Sequence, residues 1–289
     1  MHSNFSRRAF LAALPGSALI LAAPRSGGSP VGCQANAWPL KPGDFPALLK
    51  ALGEMKDLGY VGFECNIRFV QDQFGNAAEA RKQIEATGIR FIGAHYSMAQ
   101  AKPDAYPKAL DGAVALGAER LVMSGTGLAP DGKFDADALT QKCAALEALG
   151  KTAVQHGLRI AYHNHNPEFS NGNAEIEGLA SGTSPEAVDF LMDAGHGYLG
   201  GGNPAEFMSR HSKRIFGCHV KTFKGVKDPK TAQQMPLGQG DFGFEALAAA
   251  IKKTGWNGWI ITEEGGNPRY GNTAAVGPDR TYIRKVFGI

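Results

Sequence analysis

Cysteine is scarce in this chain: four in 289 residues, Cys33, Cys65, Cys143 and Cys218, with no CxxC pair and no histidine at finger-like spacing. That excludes a zinc-finger type of site. An oxidising compartment would permit a disulfide, but isolated cysteines of this kind read as small buried thiols. Net charge is equally slight. The formal +3 resides in Arg7, Arg8 and Arg25, within a first stretch of thirty residues that holds no Asp or Glu, so the rest of the chain balances to zero. The basic balance therefore belongs to that first stretch and gives no support for nucleic-acid binding. Long apolar runs are missing too. The best candidate, in "SRRAFLAALPGSALILAA", is broken by Pro15 and Gly16 and falls short of the ~20 residues a membrane anchor needs. Finally, the glycine-rich dinucleotide fingerprint is absent after the first strand-like run, where "CQANAWPL" stands, and "LGQGDFGF" at 237–244 lacks the Lys and Ser or Thr of a phosphate cradle.

What is present is an ordinary globular composition, 43% hydrophobic and 20% charged, behind a distinctive leader. Ser6, Arg7 and Arg8 stand just ahead of Phe10, Leu11 and a modest apolar stretch. The pattern reads as a secretory signal of the twin-arginine type over residues 1–30, cut somewhere between Ala23 and Pro30, and it predicts a periplasmic or secreted protein. "PVGC" at 30–33 is a poor lipoprotein box, since Pro30 occupies the place of an aliphatic residue.

Beyond the leader one unit recurs: an amphipathic stretch, a glycine, then a short apolar run. "LKALGEMKDLGYVGFEC", "ARKQIEATGIRFIGAH", "ALDGAVALGAERLVMSG", "ALGKTAVQHGLRIAYHNH" and "IKKTGWNGWIITEE" all follow it. Gly59, Gly88, Gly117, Gly157 and Gly255 sit where a helix closes in a left-handed cap. Eight strand-like runs result, near Val31–Ala37, Tyr60–Asn66, Ile89–His95, Ala118–Ser124, Leu158–Asn164, Ala187–Ala194, Ile215–Lys221 and Asn257–Glu263. Eight βα units in about 260 residues predict a single (β/α)₈ TIM barrel over residues 31–289; an open doubly wound sheet is the runner-up.

A barrel of this kind carries its site at the C-terminal ends of its strands. In order, those ends offer Trp38, Glu64, His95, Ser124, His163 with His165, Asp193 with His196, His219 with Lys221, and Glu263 with Glu264. Ionisable side chains are costly there unless something pairs them, so their convergence points to a metal. Singly, each has a plainer reading: Trp38 packs, Glu64 pairs with a neighbouring base, and Lys221 pairs with Glu264. His211 reads as solvated on a polar helix face and His156 as a helix C-terminal residue. Asp241 and Asn203 read as helix caps, and "GYLGGGNP" as a flexible connection.

"GFEC", "GAHYS", "AYHNHNPEF", "LMDAGH", "GCHVK", "GQGDFGF" and "GWIITEE", in this order and spacing, resemble the sugar phosphate isomerase/epimerase superfamily of xylose isomerase-like TIM barrels. The resemblance implies one divalent cation, Mn²⁺, Co²⁺, Fe²⁺ or Zn²⁺, held by Asp193, His219 and Glu263, with His163 at a position where many members have Glu. It implies proton abstraction next to a carbonyl through an enediolate, with Glu263, His165 and His95 as base candidates in that order and Lys221 as a donor to developing charge. Trp38, Glu64, His95, His165, His196 and Lys221 would face substrate. The expected activity is isomerisation or epimerisation of a keto sugar. Elimination or hydration of a 3-keto-glycoside follows close behind, because replacing one of two acid/base glutamates by His163 suits one-base chemistry. An apurinic-site endonuclease and a non-catalytic sugar-binding barrel are remoter readings. The expected partner is a small-molecule sugar, with no nucleic acid and no stable membrane anchor; a homo-oligomer is compatible with all of this.

Overall fold

Residues 28–128, 134–264 and 272–289 are described by a computed structural model; the leader expected over residues 1–30 lies outside them, apart from its last three positions. Barrel strands β1 (Val31–Gln34), β2 (Gly62–Asn66), β3 (Arg90–Ser97), β4 (Arg120–Ser124), β5 (Ile160–His163), β6 (Val188–Asp193) and β7 (Ile215–Val220) are followed by a small hairpin, β8 (Thr222–Lys224) and β9 (Gln233–Met235), and by the last barrel strand, β10 (Trp259–Thr262). The helices are α1 (Phe45–Asp57), α2 (Ala77–Ala86), α3 (Tyr106–Ala115), α4 (Ala136–Gln155), α5 (Ser170–Gly182), α6 (Ala194–Leu199), α7 (Pro204–His211), α8 (Glu245–Thr254) and α9 (Asn272–Phe287). All eight barrel strands pair in parallel and close in the order β1-β10-β7-β6-β5-β4-β3-β2, which rules out the open sheet.

The joints follow from backbone chemistry. Gly59, Gly88, Gly117, Gly157 and Gly255 have φ of 86°, 74°, 85°, 78° and 66°, the left-handed region that a side chain disfavours. Every barrel strand except β3 is shorter than its apolar run. After Gln34, for example, the chain tightens into a turn in which the Gln34 side chain accepts from the Asn36 amide at 3.0 Å.

Strand alternation puts residues two apart on one face, and this sets the site's height in the barrel. Ala161, Leu191 and Ile261 belong to an apolar plug with Ile92, Val122 and Trp259. Two residues further along come His163 and Asp193 on the same strands and Glu263 just past the end of β10. Gly217 fits the pattern: a Cβ there would lie 2.8 Å from Leu191 and 3.4 Å from Ile261, and His219 stands two residues above it. The polar layer therefore sits directly on a dry floor.

Several loop expectations are corrected. "GYLGGGNP" is no flexible connection at its start, because Asp193 caps the short helix α6. Asn203 does cap α7, accepting from the Glu206 amide at 3.2 Å. Asp241 does not cap α8; its carboxylate accepts from the Gly225 and Val226 amides at 2.7 and 3.2 Å and ties the loop to the β8–β9 hairpin. His211 is paired with Glu177 at 2.8 Å rather than merely solvated, and His156 ends α4 with Asp111 at 2.6 Å. All four cysteines are free and buried. No described helix is long and apolar enough to cross a membrane.

Candidate metal centre

His163, Asp193, His219 and Glu263, from β5, β6, β7 and the end of β10, each place a donor atom within 4.8 Å of the others'. Asp193 is held from two sides. Its Oδ1 accepts the His196 amide at 2.8 Å, while the Asn164 side chain clamps its backbone, accepting from its N–H at 2.8 Å and donating to its C=O at 3.0 Å. Its Oδ2 is left facing the cluster, 3.8 Å from His219 Nδ1 and 3.9 Å from His163 Nε2. Nδ1 of His219 lies 2.6 Å from Glu263 Oε2. Lys221 Nζ sits between the two carboxylates, 2.9 Å from Asp193 Oδ2 and 2.8 Å from Glu263 Oε2.

The electrostatics follow from burial against charge. Burial, with the neighbouring His219, holds His163 well below the usual imidazole range, so it is neutral and free to ligate. Burial opposes a charge on His219 as well, but Glu64 and Glu263 push its value up to about 10. Lys221 and His219 together overcome the burial of Glu263 and hold that carboxyl well below the usual range.

Whether these residues suit a cation is tested by their unsatisfied atoms. Buried polar atoms are nearly always paired, yet His163 Nδ1, Glu64 Oε1 and His196 Nδ1 are buried here without a hydrogen bond, while Asp193 Oδ2 is held by the Lys221 ammonium at 2.9 Å. Two imidazoles and two carboxylates are a donor set for Zn²⁺, Co²⁺, Fe²⁺ or Mn²⁺. The set fits.

Other residues of the expected ring are placed differently. His165 does not continue the strand, since β5 ends at His163. Its position comes instead from its amide, which donates to Glu168 Oε2 at 3.1 Å, while Tyr162 holds Glu168 Oε1 at 2.7 Å. Its ring lies 5.1 Å from those of both His163 and His196, and burial lowers its value from the usual one. Burial and Lys221 push His196 down to about 4. Glu64 is fully buried and bonded to histidines, so it does not face substrate as expected. Trp38 is buried with its indole N–H committed to Glu54 of α1 at 2.6 Å, towards the helix layer. Lys221 does not pair with Glu264. Glu264 turns to Asp279 of α9, where burial and that neighbour push it up to about 9 and burial pushes Asp279 to about 6. Ser124 ends β4 in register with His163. Asn164 and Glu168 were not among the candidates; the only sequence signal for them is their place in "YHNHNPEF".

The sequence model of the xylose isomerase-like TIM barrel family matches residues 52–285. The chain is 26% identical over 253 residues to an inosose dehydratase of Lacticaseibacillus casei, covering 77% of this chain and 84% of that protein. Among solved structures it is similar to a sugar phosphate isomerase/epimerase from Parabacteroides distasonis, with a TM-score of 0.68, 18% identity, and 90% and 97% of the two chains covered. It is similar also to the IOLI protein solved with a bound zinc atom, with a TM-score of 0.71, 15% identity, and 90% and 98% covered.

Proposed function

Because the chain belongs to the xylose isomerase-like TIM barrel family, we propose that it is a divalent-metal-dependent enzyme acting on a keto sugar or cyclic keto polyol. In this reading it removes a proton from the carbon next to the carbonyl and expels an oxygen substituent from the following carbon, as a lyase. The observation that carries the reading is the convergence of His163, Asp193, His219 and Glu263 at the barrel mouth beside an imidazole, His165, whose ring bonds to none of the described residues. The inosose dehydratase name of the curated relative supports elimination over isomerisation, as does the neutral His163 where many members carry a second acid/base Glu.

A divalent ion in this cluster supplies Lewis-acid stabilisation of the oxygen charge that grows as the proton leaves. The chain's own groups do the rest. Glu263 is a poor base, since its Oε2 already accepts from Lys221 at 2.8 Å and its carboxylate belongs to the ligand set. His165 is neutral, partly open and unengaged, and is the first choice for the base. His95 follows, with its Nε2 held by Glu64 at 2.9 Å. Lys221 aligns the two carboxylates and is the charged donor for substrate oxygen. His196, its ring 5.1 Å from that of His165 and 5.6 Å from Phe223, forms a wall of the mouth.

The test is product identity. Metal-loaded protein incubated with inososes, ketohexoses and 3-keto-glycosides should release water or the glycosidic alcohol and leave an unsaturated ketone, seen by NMR and mass spectrometry. Epimers or aldose–ketose pairs without elimination would return the activity to the isomerase class.

The leader belongs to the same proposal: residues 1–30 direct twin-arginine export. Arg7→Lys with Arg8→Lys should leave the protein in the cytoplasm on fractionation, and undiminished periplasmic delivery would remove the claim.

A further inference from the structure

Glu64 lies on β2, yet its carboxyl crosses the barrel interior to β7. Its Oε2 takes two hydrogen bonds, from Nε2 of His219 at 2.6 Å and from Nε2 of His95 at 2.9 Å. Room for the carboxyl is made by Gly93 of β3, where a Cβ would lie 3.1 Å from Glu64 Oε1 and 2.6 Å from a Val122 methyl. A carboxylate with no exposed surface is expensive to bury, and no substrate reaches it there.

A neutral imidazole carries one proton on two nitrogens. Nδ1 of His219 faces the ligand cluster, 2.6 Å from Glu263 and 3.8 Å from Asp193, so it ligates only if the proton is on Nε2. Nε2 is the atom Glu64 receives. We propose that Glu64 is a positioning residue: one carboxylate oxygen fixes the Nε2–H tautomer of both His219 and His95, leaving Nδ1 of His219 for the cation and Nδ1 of His95 as its basic nitrogen. The inference rests on reading His163, Asp193, His219 and Glu263 as the metal ligands. Carboxylates behind ligating histidines act in this way at metal sites generally.

Glu64→Gln is the informative variant. It keeps the shape but removes the charge, so whether the amide turns its oxygen or its NH₂ to the rings it holds the two Nε2–H groups less firmly than the carboxylate does. Zn²⁺ stoichiometry and affinity are measured on the full chain by competition with a chromophoric chelator, for wild type, Glu64→Gln and Asp193→Asn, alongside melting of the metal-free proteins. The expected result is one Zn²⁺ in wild type and none in Asp193→Asn. Glu64→Gln should fold and bind one ion with affinity about 10–100-fold weaker. Equal affinity in Glu64→Gln overturns the inference while leaving the metal centre standing. So do two ions per wild-type chain, which would make Glu64, His95 and His219 a second site. A wild type that binds none overturns the metal reading and this inference together. Should Glu64→Gln fail to fold, long-range ¹H–¹⁵N spectra of Zn²⁺-loaded, ¹⁵N-histidine-labelled wild type decide: His219 with its proton on Nε2 and the metal on Nδ1 is expected, and the reverse contradicts.

Discussion

His163→Ala should abolish stoichiometric metal binding at micromolar Zn²⁺ or Co²⁺ while the barrel stays folded. Removing an outer-shell partner of a site typically costs 10–100-fold in affinity; loss of a direct ligand from a four-donor set should exceed about 100-fold. The fold survives because of what His163 contributes without a cation. Its ring is buried, held neutral, and leaves Nδ1 unpaired, so the cavity left by truncation is partly offset by removal of an unsatisfied polar group. Metal content of the purified variant and melting of the metal-free forms check this together. Undiminished binding would take His163 out of the ligand set and leave Asp193, His219 and Glu263 as the centre.

His165→Gln should do the opposite, sparing the metal and lowering kcat by roughly 10²–10⁴-fold, the range a positioned general base supplies. His165 has no hydrogen-bond partner for its ring among the described residues, and its location is fixed by its backbone amide on Glu168. Substituting the side chain therefore disturbs no network. A variant with normal metal content and near-normal kcat would pass the base role to His95. A variant that loses the metal would mean that the two histidines of "YHNH" had been assigned in the wrong order.

The contrast between these two residues shows what the sequence carries. Ala161 and His163, Leu191 and Asp193, Ile261 and Glu263 are pairs two apart in the strand-like runs, so an apolar floor beneath a polar rim follows from alternation alone. The positive-φ glycines mark the joints in the same local way. His165 lies beyond the strand-like run Leu158–Asn164; it is near the site because Glu168 catches its amide after the strand has stopped. Glu64 is legible in the sequence as a carboxylate that pairs with a base, as it does with His95 and His219, but the identity of its partners is not. Its partner His219 is 155 residues away, and only barrel closure, with Gly93 opening the space, brings them together. Asp241 shows the limit for caps: an Asp before a helix is the usual signal, but the β8–β9 hairpin competes for the carboxylate and wins.

In the proposed reaction a cation at His163, Asp193, His219 and Glu263 would support removal of a carbon-bound proton. The most direct measurement is deuterium incorporation in D₂O, followed by NMR on inososes, ketohexoses and 3-keto-glycosides. Metal-loaded wild type should either place deuterium on the carbon next to the carbonyl of at least one of them or lose that proton in forming the elimination product, and both chelation and His163→Ala should abolish this proton loss. Proton loss that persists unchanged after chelation, or stoichiometric metal with neither exchange nor elimination on any of these substrates, would contradict it.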